Sequence, residues 1–468
     1  MKKGINRKPG DPNYDLFKLA LKSTAKRLYP NYANGDVSMQ KDWIAYDRKC
    51  KREVISSLSE NDKEVLISKI NENPELKNIL MLDYINGDLV VTEEEQPIEL
   101  YSTMGCRTIN GADINAKDSY IKNIKYIIEG KGLYDDYISA AQKDGRGNIA
   151  PATIILPTLA MEAREAVDKR IEAGDNITNI DGAVVEEFMD ILGVAIEDCK
   201  DGLIERFNHI ASQPEDSADF MYKNNTMTGY VPEEGIISAL RHGTLAIGQL
   251  ALAEAIQILI GCDHTDELGM VLAERIETLF RDRCKEYKEK YKLNFGVYYT
   301  PAENLCYTAM NNFKETYGEI PNVSDKPFFT NSIHVPVWKK ISPFEKIDIE
   351  SKLVGFSSAG CITYIELDST VTNNIDAIEV YVNYAMDHDI PYFAINVPND
   401  TCLNCGYIGE FNNTCPICNS KHIQRLRRVT GYLTGDFETA FNPGKVAETK
   451  MRYQHTKRLI DPKKRDLI

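Results

Sequence analysis

Ala152-Thr-Ile-Ile-Leu-Pro157 is a short unbroken β run closed by proline, and a helical pattern over residues 158–173 follows it directly. A continuous apolar run of this length marks a strand covered on both faces, as in parallel sheets. The same alternation recurs outward from it. Helical patterns cover 182–212, 234–260 and 264–290. β-like runs appear at Gly296-Val-Tyr-Tyr-Thr300, His334-Val-Pro-Val337, Cys361-Ile-Thr-Tyr-Ile-Glu366 and Tyr392-Phe-Ala-Ile-Asn-Val397. Strands alternating with long helices predict an α/β fold built on parallel strands. Upstream, Asp11-Pro12 predicts a cap and an N1 proline for a helix over 12–31, with Leu16, Leu19, Ala20 and Leu21 at helical spacing. Residues 41–98 are richer in charge and patterned as a helical pair, ending in the loop-like Glu93-Glu94-Glu95-Gln96-Pro97.

A chain of 468 residues with 43% hydrophobic content can bury a large core, as two to four domains or as one α/β barrel with additions. Its formal charge of −15 argues against a protein that grips nucleic acid through phosphates. The basic runs Arg425-Leu-Arg-Arg428 and Lys463-Lys464-Arg465 are short and read as solvated faces, which leaves single nucleotides open as substrates. No stretch approaches the roughly 20 apolar residues of a membrane span, and the polar start of the chain is no secretory signal. Eleven cysteines, an odd number, fit a reducing compartment rather than a disulfide framework. The expected location is cytoplasmic, with no membrane and no nucleic-acid partner.

At Pro398 the composition shifts, and 398–425 is short, rich in Cys, Asn and Gly, and barely apolar. Cys402-x2-Cys405 and Cys415-x2-Cys418 form two knuckles, each placing two thiolates on one tight turn, as tetrahedral Zn²⁺ requires. Gly406 and Asn419 follow the second cysteine of each knuckle, where a positive φ is wanted. Four thiolates leave no open coordination position, so the metal is expected to be structural. Redox pairs and an iron site remain as alternatives, and a zinc ribbon that binds protein or nucleic acid is a second class of function. Just beyond lies Arg427-Arg428-Val429-Thr430-Gly431-Tyr432-Leu433. A glycine α-carbon has no side chain to block approach and can hold a radical delocalised over both flanking amides, although such a glycine can equally be a turn.

Taken together, these residues resemble the anaerobic (class III) ribonucleotide reductases, glycyl radical enzymes that reduce ribonucleoside triphosphates. The resemblance rests on the two cysteine knuckles, on Arg428-Val-Thr-Gly431-Tyr-Leu and on Phe441-Asn442-x-Gly444-Lys445. It continues upstream through Met104-Gly105-Cys106-Arg107, Gly145-Arg146-Gly147-Asn148 to Pro157, Gly229 to Gly235, and Arg241-His242-Gly243-Thr244 to Gly248. Thr300-Pro-Ala-Glu303 to Cys306 and Thr330-Asn331-Ser332 to Pro336 complete it, over a span from about residue 8 to residue 455.

The resemblance implies part of a ten-stranded α/β barrel of the glycyl radical type, with a C-terminal zinc ribbon and a glycyl radical loop. The expected divisions are 1–99 as a helical segment with an insertion and 100–397 as the barrel portion with the thiyl-cysteine loop. Residues 398–425 would form the zinc ribbon, and 426–468 the radical loop and tail. It also implies that an activase using S-adenosylmethionine and an iron–sulfur cluster removes a hydrogen from Gly431. The glycyl radical then oxidises Cys106, and the thiyl attacks the ribose. Asn148 would hydrogen-bond that ribose, with a plain turn residue as its alternative. Packing roles are expected for His242 and His334, and for Cys50, Cys199, Cys262, Cys284, Cys306 and Cys361. Family members begin well before Lys3-Gly4-Ile-Asn6, so a second polypeptide is expected to supply an N-terminal half. A compact stand-alone glycyl radical enzyme with altered substrate, or a non-catalytic zinc-ribbon scaffold or degenerate homologue, stands as the alternative.

Overall fold

The structure, a computed structural model, describes residues 1–92, 111–133, 147–224, 230–411, 413–429 and 431–454. It is a mixed α/β architecture. Helix α1 (Tyr14–Arg27) precedes the two-residue strand β1 (Tyr32–Ala33). Next come α2 (Ser38–Ser57), α3 (Glu60–Glu72) and α4 (Glu75–Leu80), a hairpin of β2 (Leu82–Ile85) and β3 (Asp88–Val91), and α5 (Ala116–Ile128). The body then alternates β4 (Asn148–Ile155), α6 (Leu156–Glu172), α7 (Ile180–Ala211), β5 (Thr244–Leu250), α8 (Leu252–Ile260), α9 (Glu267–Tyr291) and β6 (Asn294–Tyr298). It continues through α10 (Leu305–Tyr317), α11 (Pro343–Val354), β7 (Thr363–Glu366), α12 (Ile375–Asp387) and β8 (Tyr392–Asn396). A terminal module holds β9 (Asn399–Cys402), β10 (Ile408–Gly409), β11 (Ile423–Val429), β12 (Tyr432–Thr434) and α13 (Pro443–Met451).

Strands β4, β5 and β6 lie side by side and parallel, with Ile154 beside Gln249 and Thr244 beside Asn294. Strands β7 and β8 are parallel, and β1 closes their sheet antiparallel to β8. A parallel bridge between Tyr298 and Gly360 joins β6 to the segment that enters β7. Parallel neighbours need crossover connections, and β5 and β6 are buried throughout, whereas in β4, whose apolar run predicts a strand covered on both faces, only Ala150 and Ile154 are buried. One core holds Phe17, Leu21 and Tyr32 of the first segment together with Phe188, Ile247, Phe280, Val297, Ile365 and Phe393. A smaller second core, with Val54, Leu66, Leu82, Tyr120 and Ile124, lies within residues 38–128.

Three local expectations needed correction. The helical pattern at 234–260 contains β5, whose seven residues are all buried. A strand covered on both faces and a buried helix share one apolar pattern, and the left-handed Ala251 (φ 65°) separates the two elements. His334-Val-Pro-Val337 is an irregular segment rather than a strand. Val335 donates its N–H to Glu350 Oε1 at 3.1 Å, and Pro336 has no N–H to give a ladder. Finally, α1 starts at Tyr14 after Asn13, and the Asp11 side chain does not cap it. Its carboxylate instead accepts from the N–H groups of Arg7 (2.8 Å) and Lys8 (3.0 Å).

Candidate functional site

Strand β9 ends on Cys402, and β11 pairs antiparallel to it with Ile423 opposite Cys402. That pairing brings the two knuckles together. The Sγ atoms of Cys402, Cys405, Cys415 and Cys418 all lie within 4.8 Å of one another. Cys402 and Cys418 are 3.6 Å apart, as are Cys405 and Cys415. A tetrahedral Zn²⁺ with Zn–S bonds of about 2.3 Å sets sulfurs about 3.8 Å apart, so the four thiols fit that ion. Each knuckle closes as its sequence predicts. The Gly406 N–H donates to Cys402 O and the Asn419 N–H to Cys415 O, both at 2.9 Å, with φ of 74° and 56° at the two donors. The N–H of Cys405, aided by that of Asn404, pulls the Cys402 thiol down to about 6. A thiolate is the form that binds metal.

From this cluster β11 runs directly to β12, with Val429 opposite Tyr432, so the chain reverses at Gly431. Gly431 is exposed at its tip, and Thr430 lies outside the described residues. The six steps from Ile423 to Val429 span about 20 Å of strand, a rigid link between thiols and glycine. The hairpin leans on the loop after β6. Tyr432, beside Gly431, has its hydroxyl near the Glu303 carboxylate, which raises the phenol pKa.

Cys106, with all of 93–110, lies outside the described residues, as do Gly145 and Arg146. The chain re-enters at Gly111, whose N–H donates to Ser358 O at 2.8 Å. One residue on, Ala359 O accepts from Asn148 Nδ2 at 3.0 Å. Gly111 and the start of β4 therefore meet on the adjacent residues Ser358 and Ala359. Asn148 Oδ1 is buried with no partner among the described residues. Ser358 and Ala359 both donate to Val297 O of β6 (3.1 and 2.9 Å), the strand whose exit loop carries Glu303.

His242 and His334 are each paired with a carboxylate through Nδ1. His242 Nδ1 is 2.6 Å from Asp113 Oδ2, and His334 Nδ1 is 3.3 Å from Glu350 Oε1. Cys50, Cys284, Cys306 and Cys361 are buried thiols. Sequence reading gave no role to Glu303, Asn304 and Lys445, which flank the hairpin, or to Tyr432 within it. Their only signal was membership of the matched stretches Thr300 to Cys306, Arg428 to Leu433 and Phe441 to Lys445. No helix among the described residues is long and apolar enough to cross a membrane.

The family model for anaerobic ribonucleoside-triphosphate reductase matches residues 1–455. The anaerobic ribonucleoside-triphosphate reductase of Escherichia coli K12 is 27% identical over 97% of this chain and 52% of its own length. That of Enterobacteria phage T4 is 26% identical over 97% of this chain and 61% of its own. The chain thus spans about half the length of the curated relatives it matches. A solved anaerobic ribonucleotide reductase from Thermotoga maritima, with dATP in its specificity site, aligns with 62% of this chain and 43% of its own at 19% identity and a TM-score of 0.46. With a family match running from the first residue past both the thiol cluster and the glycine hairpin, the chain belongs to the anaerobic ribonucleoside-triphosphate reductase family.

Proposed function

We propose that this chain carries the radical chemistry of anaerobic ribonucleoside triphosphate reduction. Gly431 is the radical store, Cys106 the thiyl residue and Asn148 a ligand to the ribose. An activase that cleaves S-adenosylmethionine with an iron–sulfur cluster removes one Gly431 α-hydrogen. The glycyl radical takes the thiol hydrogen of Cys106, and the resulting thiyl takes the 3′-hydrogen of the ribose. Water then leaves from C2′, an external reductant supplies two electrons with protons, and the 3′-hydrogen returns. The residues of this chain contribute placement and the exclusion of water. Cys402, Cys405, Cys415 and Cys418 would hold Zn²⁺, which when bound cross-links the two knuckles beneath β11.

The observation that carries this reading is the hairpin. An exposed glycine where β11 turns into β12 is reachable by an activase, while β11 fixes it to a four-thiol cluster. The described parts of the sheet support a portion of a ten-stranded barrel completed from outside this chain. Among the described residues neither β4 nor β1 has a further strand on its outer edge, and proteins cover such edges. We assign 1–99 to a helical segment with an insertion, 100–397 to the barrel portion, 398–425 to the ribbon and 426–468 to the radical loop. Anaerobic assay of the chain with its completing polypeptide and an activase tests the reading. Ribonucleoside triphosphate should convert to the 2′-deoxy product with the parent and not with Cys106→Ser; turnover by that variant would refute the thiyl role.

A further inference from the structure

Lys445 is only 3% exposed, rare for a lysine. No carboxylate lies within ion-pair distance of it among the described residues. Its ammonium instead sits 3.7 Å from the centroid of the Tyr432 ring, 6.0 Å from that of Phe441, and donates to Asn304 Oδ1 at 3.2 Å. The same Asn304 oxygen accepts from Asn442 Nδ2 at 2.9 Å, and Asn442 Oδ1 caps α13 by accepting from the Lys445 N–H at 2.9 Å. The helix start is itself pinned. A methyl group on Gly444 would lie 2.9 Å from both Pro327 O and the Tyr307 side chain, so only glycine permits this approach. On the opposite side Ala302 and Glu303 hold φ of 47° and 28°, a costly backbone, with the Glu303 carboxylate near enough to raise the Tyr432 phenol pKa.

We propose that Lys445 is a positioning residue that latches the Gly431 hairpin by gripping the ring of Tyr432, with Asn304 and Glu303 as the fixed side of the latch. This rests on the radical role proposed for Gly431. Strand β12 has three residues, two of them exposed, and a hairpin that short has little stability of its own. A desolvated cation held over an aromatic face is among the stronger contacts available to it. Tyr432 is the residue after Gly431, so fixing its ring and hydroxyl together fixes one of the two amides over which a glycyl radical spreads. The backbone of a hydrogen-abstracted glycine must be planar across both amides, and a loose tip would leave that geometry unset.

The test uses the full zinc-loaded chain with its completing polypeptide, as the parent, Lys445→Met, Lys445→Arg, Tyr432→Leu and the Lys445→Met/Tyr432→Leu pair. Two readouts are taken: amide hydrogen exchange at residues 432–434, and glycyl radical yield by electron paramagnetic resonance after anaerobic activation. Lys445→Met should speed exchange at Tyr432 and Leu433 by roughly tenfold, the scale of a lost desolvated cation–π contact, and lower the radical yield. Lys445→Arg should recover most of both. Tyr432→Leu, at a half-exposed position that leaves the core intact, should loosen the tip equally, and the pair should be no looser than either single change. Parental exchange in Lys445→Met, or single effects that multiply in the pair, would overturn the latch. If the parent forms no glycyl radical while Lys445→Met still loosens the tip, the latch stands and the radical role falls.

Discussion

Glu277 is fully buried on α9, where Gln249 Nε2 donates to it at 2.9 Å. Burial pushes its carboxyl up to about 7, against about 4.3 when unfolded. The folded chain therefore holds the proton longer than the unfolded chain. The contribution to stability is complete below about pH 4.3 and is lost as pH rises through about 7. Glu277→Gln should flatten that fall by roughly 3 kcal/mol between pH 4.5 and 7.5; an unchanged slope in urea titrations at those two pH values would contradict it. His264 works in the other direction, since burial lowers its pKa to about 4 and acid destabilises the fold. Asp113 illustrates a different dependence, joining His242 at 2.6 Å to Asn294 Nδ2 at 2.8 Å. Asp113→Ala removes the buried acceptor that His242 Nδ1 and Asn294 Nδ2 share and should cost about 3 kcal/mol in urea unfolding. Neither carboxylate was legible in the sequence, because nothing local marks a residue that meets its partner 129 positions away.

At the scale of elements, the ribbon and hairpin behave as one unit, since β9, β11 and β12 share backbone hydrogen bonds. Removing zinc with a chelator, or Cys415→Ser, should free the knuckles and speed exchange from residue 399 through 434. The amides of β4, β5 and β6 should stay protected, and exchange that rises equally in both regions would refute a separate zinc-held unit. This unit was the part most legible in the sequence. Cysteine spacing, Gly406 and Asn419 state local geometry that tertiary packing does not override. The long helices and β4, β7 and β8 were legible from the alternation of runs and periods. Strand β5 was not, because Thr244-Leu-Ala-Ile-Gly-Gln-Leu250 is buried on both faces and merges with α8 in one apolar block. The Tyr432–Lys445 contact was also hidden, since a lysine in a sequence reads as solvent-facing until the fold buries it.

Across the whole molecule, the proposal of a completing polypeptide makes a physical demand. The edges of β4 and β1 that are open among the described residues should pair with strands of that polypeptide, over an interface of more than about 1,000 Å². The chain alone should self-associate in sedimentation experiments, and co-expression with the proposed completing polypeptide should give a defined, active complex. A monodisperse and fully active chain by itself would favour the compact stand-alone enzyme instead. The central claim is that Gly431 stores a radical and Cys106 spends it on substrate, although the two stand far apart along the chain. Electron paramagnetic resonance on the anaerobically activated complex tests it most directly. The parent should give a doublet from the single remaining α-hydrogen, Gly431→Ala should give none because a methyl group crowds the α-carbon, and Cys106→Ser should keep the doublet while losing all turnover. A doublet that survives Gly431→Ala would contradict the account.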